Sequence, residues 1–315
     1  MLKKFTTSFL ALLLVFFTLT GNVMAAKKPK VSDPLDLNRL KLEQLEKSDK
    51  KIPIKNRMYF DKKKTYDWIE SSLILCNNFT VDNIYARNKI VKVNDNLYKE
   101  VYRDVPFKLN FEWSPENLDA ISYRYAINLY SLIFGEVADF DDLYEKVEIK
   151  STYNPKTKIY TPIFEVSYTK EELDTERKVN DHVRKWVNQN INKKMNERQK
   201  AKVIFDYFVN SKFQYKKGAG TEISKISSVI WQKTGQCVSF SNYFEKLAIA
   251  SGLNCFTEQG YLGDIAEDCG HAWNLVKIKG KIYSIDVTNF DNYSNPYDLF
   301  LKTPQAFEQL GYIKY

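Results

Sequence analysis

The stretch from His271 to Thr288 leaves a folding chain the least freedom. His271-Ala272-Trp273-Asn274-Leu275-Val276-Lys277-Ile278 and Lys281-Ile282-Tyr283-Ser284-Ile285-Asp286-Val287-Thr288 alternate as strands do, with Lys279-Gly280 between them. A two-residue connection ending in glycine is a tight hairpin turn, so Ile278 opposes Lys281 and His271 opposes Thr288. One face then carries Ala272, Val276, Ile278, Tyr283, Ile285 and Val287, with Asn274 as its polar exception. The other face carries His271, Trp273, Ser284 and Asp286. A slip of one residue would mix the two sets, so turn and pattern specify the same register. His271 and Asp286 become diagonal neighbours, about 7–8 Å apart at the backbone, within reach of an imidazole–carboxylate hydrogen bond. Such a bond orients the ring and stabilises an imidazolium. An ordinary surface pair has the same spacing, but the chain contains only two histidines, His182 and His271.

A second constraint lies upstream. Thr234-Gly235-Gln236-Cys237 leads into a run with apolar residues at Phe240, Tyr243, Phe244, Leu247 and Ala250, ending at Ser251-Gly252. This spacing predicts a helix with one buried face, stopped by the glycine. Cys237 falls at its N-terminus, where unsatisfied N–H groups and the helix dipole favour an anion. That setting lowers a thiol pKa and yields a nucleophilic thiolate. The same N–H groups can donate to an oxyanion. The competing reading is a small buried residue, a common fate for cysteine.

At these blocks the chain resembles the transglutaminase-like superfamily, over about residues 175–300. The residues that carry the resemblance are Gly235-Gln236-Cys237 heading a helix, His271-Ala272-Trp273-Asn274, and Tyr283-Ser284-Ile285-Asp286-Val287-Thr288. It implies an α+β, papain-like core: N-terminal helices, then a cysteine helix packed on an antiparallel sheet. It implies Cys237 as nucleophile, His271 as general base and acid, and Asp286 as the residue orienting the ring. Acyl transfer through a thioester on a protein or peptide substrate follows, with an amine acceptor for a transglutaminase and water for a peptidase or amidase. Gln236 and Trp231 are both candidates for the second oxyanion donor, and Trp273 is a further candidate for contact with substrate. A non-catalytic cell-envelope binding module that keeps the fold is the alternative. Calcium loops like those of the animal enzymes are not seen.

The rest of the chain frames this core. Lys3 and Lys4, the apolar run Phe9–Phe17 and the small-residue pattern Val23-Met24-Ala25 predict a secretory leader, residues 1–25, cleaved near Ala25, with an uncleaved N-terminal anchor as the competing reading. The run is shorter than the roughly 20 residues a membrane span needs, and no cysteine follows it to suggest a lipoprotein. The expected location is therefore secreted or in the cell envelope. The formal net charge is +8, yet basic residues outnumber acidic ones by 13 to 6 between Lys27 and Lys64, which leaves the body from residue 65 onward nearly neutral. That distribution argues against nucleic acid, whose partners carry a basic patch on a folded face. Residues 26–64 read as a basic linker, either a solvated spacer or a contact for anionic envelope polymers.

Residues 65–168 read as a smaller α+β unit of unknown role and 169–315 as the catalytic domain. In the first, Tyr66 to Leu75 is an apolar helix or strand. Ser114-Pro115 starts a helix carrying Leu118, Ile121, Tyr125, Leu129 and Leu132. Val147–Tyr153 and Ile159–Tyr168 form a hairpin about Asn154-Pro155-Lys156-Thr157. Helices follow over Glu171–Ile191 and, capped by Asn196, to Val209, with a turn at Gly218-Ala219-Gly220. His182 falls on the polar side of the first. Cys76, Cys237, Cys255 and Cys269 include no CxxC pair, and with two histidines a zinc site is not expected. Cys269 either pairs with Cys255 or packs, and no cofactor is implied.

Overall fold

A computed structural model describes residues 52–53, 90–104, 106–109, 115–135, 143, 145–217, 221–263, 270–289 and 293–314. The expected leader, most of the basic linker, Tyr66 to Leu75, Ser114, the Gly218-Ala219-Gly220 turn, Cys76 and Cys269 lie outside them. The chain folds as α+β. Its first part holds β1 (Ile52–Pro53), β2 (Ile90–Lys92), β3 (Tyr98–Arg103), β4 (Phe107–Lys108) and α1 (Pro115–Phe134). Next come β5 (Val147–Ile149), β6 (Thr152–Asn154), β7 (Ile159–Thr161) and β8 (Ile163–Tyr168). These strands form two four-stranded sheets, ordered β1-β6-β7-β4 and β2-β3-β8-β5. Within the stretch read as linker, β1 pairs with β6.

The hairpin expected about Asn154-Pro155-Lys156-Thr157 forms in a single register but is shared between the two sheets. Thr152 pairs with Thr161 in one, and Ile149 with Phe164 in the other. The break falls where Pro162 has no N–H for the ladder. Ser151 fills the gap with its side chain, whose Oγ accepts the Ile163 N–H at 3.0 Å. α1 starts at Pro115, and all five of its expected apolar positions are buried. It ends at Gly135 (φ +79°), where a Cβ would lie 2.4 Å from the Lys225 Cα.

The second part holds α2 (Lys170–Asn190), α3 (Glu197–Asn210), β9 (Gln214–Tyr215), α4 (Ile226–Gln232), β10 (Thr234–Gly235) and α5 (Cys237–Ala250). Then come β11 (Cys255–Leu262), β12 (Gly270–Ile278), β13 (Lys281–Ile285), α6 (Pro304–Gln309) and β14 (Tyr312–Lys314). α2 and α3 open with reciprocal capping boxes, Thr169 with Glu172 and Asn196 with Gln199, each satisfying two orphan N–H groups. β11 to β14 form an antiparallel sheet ordered β13-β12-β11-β14. Among the described residues no helix is long and apolar enough to cross a membrane.

Where one buried face was expected, α5 is buried all round, with every residue from Val238 to Ile249 inside. It is enclosed by the β11–β14 sheet and by α1 to α4, so its polar residues need internal partners. Asn242 donates to the Ser131 carbonyl of α1 at 3.0 Å, and Lys246 pairs with Glu176 of α2 at 2.5 Å. Glu245 accepts from Asn128 of α1 and from the Thr257 N–H of β11 at 2.9 and 2.8 Å. The helix stops at Gly252 (φ +82°), and Leu253 N–H returns to the Ala248 carbonyl at 2.9 Å.

In the third sheet the expected register holds from Ile278↔Lys281 to Asn274↔Ile285. Lys279 and Gly280 both take positive φ, 50° and 78°, as a type I′ turn requires. The ladder ends at Ile285, earlier than the expected pairing of His271 with Thr288. The cause is local: Thr288 turns its N–H and hydroxyl onto Asp286 Oδ1, each at 2.7 Å. Asn274, the polar exception, is fully buried and donates to the Ser241 carbonyl of α5 at 2.9 Å. Ser241 Oγ in turn donates to the Ala272 carbonyl at 2.9 Å. This exchange locks the cysteine helix to the histidine strand.

The edge strand β14 crosses β11 tightly at Gly260. A Cβ there would lie 2.0 Å from the Ile313 carbonyl oxygen and 2.7 Å from Trp273 Cη2. The first of these atoms is backbone and cannot swing aside. Gly260→Ala is therefore expected to push β14 off the sheet and cost about 1–3 kcal/mol, the range for overpacking. Urea unfolding measures it, and a variant as stable as the parent would show that β14 relaxes freely.

Candidate active site

The cysteine is placed by a short parallel pairing. Thr234 lies against Gln214 and Gly235 against Tyr215, so β9 runs beside the approach to α5. Gly235 is needed because a Cβ would sit 2.5 Å from Ser239 Oγ and 2.7 Å from Val229 Cγ2. Gln236 is the N-cap, and its N–H donates to Ser239 Oγ at 2.8 Å. Cys237 is the first helical residue, partly exposed, as its position in the sequence suggested.

The histidine and aspartate meet across the end of the hairpin. His271 Nε2–H donates to Asp286 Oδ2 at 2.8 Å, with the His271 side chain 9% exposed and that of Asp286 fully buried. This bond leaves Nδ1 as the ring nitrogen for the thiol. Besides His271, Asp286 accepts the two Thr288 bonds, the Asn289 N–H at 3.3 Å and the Tyr312 hydroxyl at 2.6 Å. Burial alone would raise its pKa. The His271 charge and bond, with Tyr312 and Thr288, hold it below the ordinary range instead.

The ring and the thiol shift in complementary directions. Burial disfavours a charged His271, but the Asp286 charge and hydrogen bond outweigh it, and the contact with Cys237 adds to them, raising its pKa to about 10. Burial pushes the Cys237 thiol up. The hydrogen bond and charge of His271, the Ala272 backbone and the Tyr215 hydroxyl bring it below its ordinary value. Together these shifts favour a thiolate–imidazolium pair.

Cys237, His271 and Asp286 thus converge. Gln236 sits beside the thiol, but its N–H is used by Ser239 and its Oε1 accepts the Ser224 hydroxyl at 3.3 Å. Trp231 is 50% exposed on α4. Trp273, a candidate for substrate contact, has no exposed surface. It packs with Leu299, Phe307 and Tyr312, its ring 6.3 Å from the His271 ring, and so forms a floor beneath the histidine. His182, read as a surface residue, is half-buried, with Nε2 3.1 Å from the Tyr243 hydroxyl of α5.

Two residues of the site escaped the sequence reading. Tyr215 bonds the thiol through its hydroxyl, and burial and the Cys237 charge push its own pKa far up. Tyr312 closes over the His271–Asp286 pair from β14. Neither lies in a periodic run, and only the β9–β10 and β11–β14 pairings bring them in. Among the described residues no group of His, Cys, Asp or Glu is arranged to hold a metal ion.

Residues 184–287 match the family model of the transglutaminase-like superfamily, a span that contains Tyr215, Cys237, His271 and Asp286. Among solved structures, a crystal structure of a TGase is 18% identical (TM-score 0.30), the match covering 49% of this chain and 48% of that one. The chain thus spans about half the length of that relative. The periplasmic domain of TgpA from Pseudomonas aeruginosa is 12% identical (TM-score 0.31), with 70% and 77% covered. No curated protein sequence matches. The segment that carries all three of these residues is thus similar to the transglutaminase-like superfamily.

Proposed function

We propose that the chain is an exported thiol enzyme that acts on amide bonds of proteins or peptides through a Cys237–His271–Asp286 triad. The observation that carries this reading is the His271 ring, shared between Asp286 and the thiol at the head of α5. In the first half-reaction the Cys237 thiolate attacks the amide carbonyl carbon. His271 Nδ1–H gives its proton to the leaving nitrogen, the C–N bond breaks, and a thioester remains. In the second, an amine or water loses its proton to His271 and attacks the thioester, and the thiolate departs. The Cys237 N–H and the Tyr215 hydroxyl are the donors proposed for the oxyanion. Export rests on the leader expected over residues 1–25.

The thiolate–imidazolium pair has a pH signature. Cys237 is expected to alkylate with iodoacetamide at about pH 6, where a free thiol near 8.5 is mostly protonated. His271→Asn should return the midpoint to the ordinary thiol range, because the largest lowering contribution on Cys237 is lost. Turnover should fall on the alkaline side as His271 loses its proton near 10. A wild-type thiol that reacts like free cysteine would sink the enzyme reading. Incubation with a glutamine-containing protein and a labelled amine then separates the outcomes: incorporation marks transfer, and new peptide ends mark hydrolysis.

A further inference from the structure

We infer that Tyr312 is a positioning residue for the His271–Asp286 pair, acting through the carboxylate rather than on substrate, an inference that rests on the acyl-transfer reading. The two oxygens of Asp286 are held differently. Oδ1 is fixed locally by Thr288 and Asn289, within three residues along the chain. Oδ2 receives His271 Nε2–H at 2.8 Å and Tyr312 O–H at 2.6 Å. The phenol is thus the anchor on Oδ2 that does not belong to the ring being aimed. It is itself held firmly, 1% exposed, with its ring 4.4 Å from Phe307 and 5.3 Å from Trp273. Its backbone pairs with Leu262, and Asn289 Nδ2 donates to its oxygen at 3.5 Å, leaving the O–H to point at Oδ2.

The hydroxyl also divides the charge on Oδ2. A neutral donor there weakens the pull of Asp286 on the imidazolium proton, which the ring must release to a leaving amine. The other ionisable groups that face the pair are Cys237 from α5, Tyr215 from β9 and Tyr293 after β13, the two tyrosines being shifted upward chiefly by burial, with the Asp286 charge adding to it. Tyr312 alone of the three tyrosines donates to the carboxylate among the hydrogen bonds of the described residues.

Tyr312→Phe keeps the ring and removes the donor. With a peptidyl p-nitroanilide as acyl donor, whose leaving amine must be protonated, turnover is expected to fall about tenfold, the scale of one hydrogen bond to a charged group, with an unchanged unfolding midpoint. The alkaline limb of the pH profile should move up, because an unshared carboxylate holds the imidazolium proton longer. A fluorinated tyrosine at 312, a stronger donor of nearly the same size, should move that limb down, and it serves if the Phe variant melts early. An acid-shifted wild-type thiol with a profile that neither variant moves overturns the positioning role and leaves the triad reading intact. A wild-type thiol that reacts with iodoacetamide like free cysteine overturns both, since there is then no pair to position.

Discussion

Cys237→Ala should abolish thioester formation, lowering turnover by at least about 10⁴-fold, while unfolding within about 1 kcal/mol of the parent. The two halves of this result have separate causes. On the proposed mechanism the sulfur is the atom that forms the covalent bond, and among the described residues no neighbouring side chain replaces it. Its contribution to packing is small, since Cys237 is partly exposed at the head of α5 while the twelve residues from Val238 to Ile249 are buried. The helix start is set by Gln236 and Ser239, which the substitution leaves alone. Turnover and urea unfolding measured on one preparation test both halves. Retained turnover would place the nucleophile elsewhere.

The largest effect on stability is expected away from the thiol, at the buried pair of Lys246 and Glu176, 0% and 4% exposed and 2.5 Å apart. Lys246→Met leaves a carboxylate with no countercharge in the interior, at a cost of about 3–5 kcal/mol. Burial already raises the Glu176 pKa, against the opposing Lys246 charge. Without the lysine it rises further, so the variant should lose stability as pH rises and regain it on acidification, when the folded state takes up the proton more readily than the unfolded one. Replacing both residues, Glu176→Leu with Lys246→Met, should come close to the parent, because neither charge then needs a partner. Urea unfolding at two pH values compares the variants. A single variant as stable as the double would mean that water reaches Glu176.

What could be read from the chain beforehand was local. The His271–Thr288 hairpin could be registered residue by residue, because alternation and a two-residue turn agree there. The helix that begins at Cys237 was equally plain from its spacing and Gly252. Contacts between distant segments could not be read. The all-round burial of α5 depends on Asn128, Glu176 and Thr257 partnering polar residues that periodicity assigns to a wet face. Asn274 broke the apolar pattern because it serves the backbone of a helix more than thirty residues away. The early end of the ladder at Ile285 reflects a turn in which Asp286 captures the donors of Thr288, and alternation carries no trace of it. Tyr215 and Tyr312 belong to strands of two and three residues, too short for any periodic signal.

β14 makes the working unit larger than the recognisable one. The family match closes at residue 287, one position past Asp286, yet the carboxylate is shielded by a side chain twenty-six residues further on. A fragment trimmed to the match would retain the cysteine, the histidine and the aspartate. It would also open Trp273 to solvent and let water compete for Asp286 Oδ2. The three side chains of the proposed triad, in the right order, are then expected to fall short of an enzyme, and the boundary for any minimal version of this domain lies beyond Tyr312.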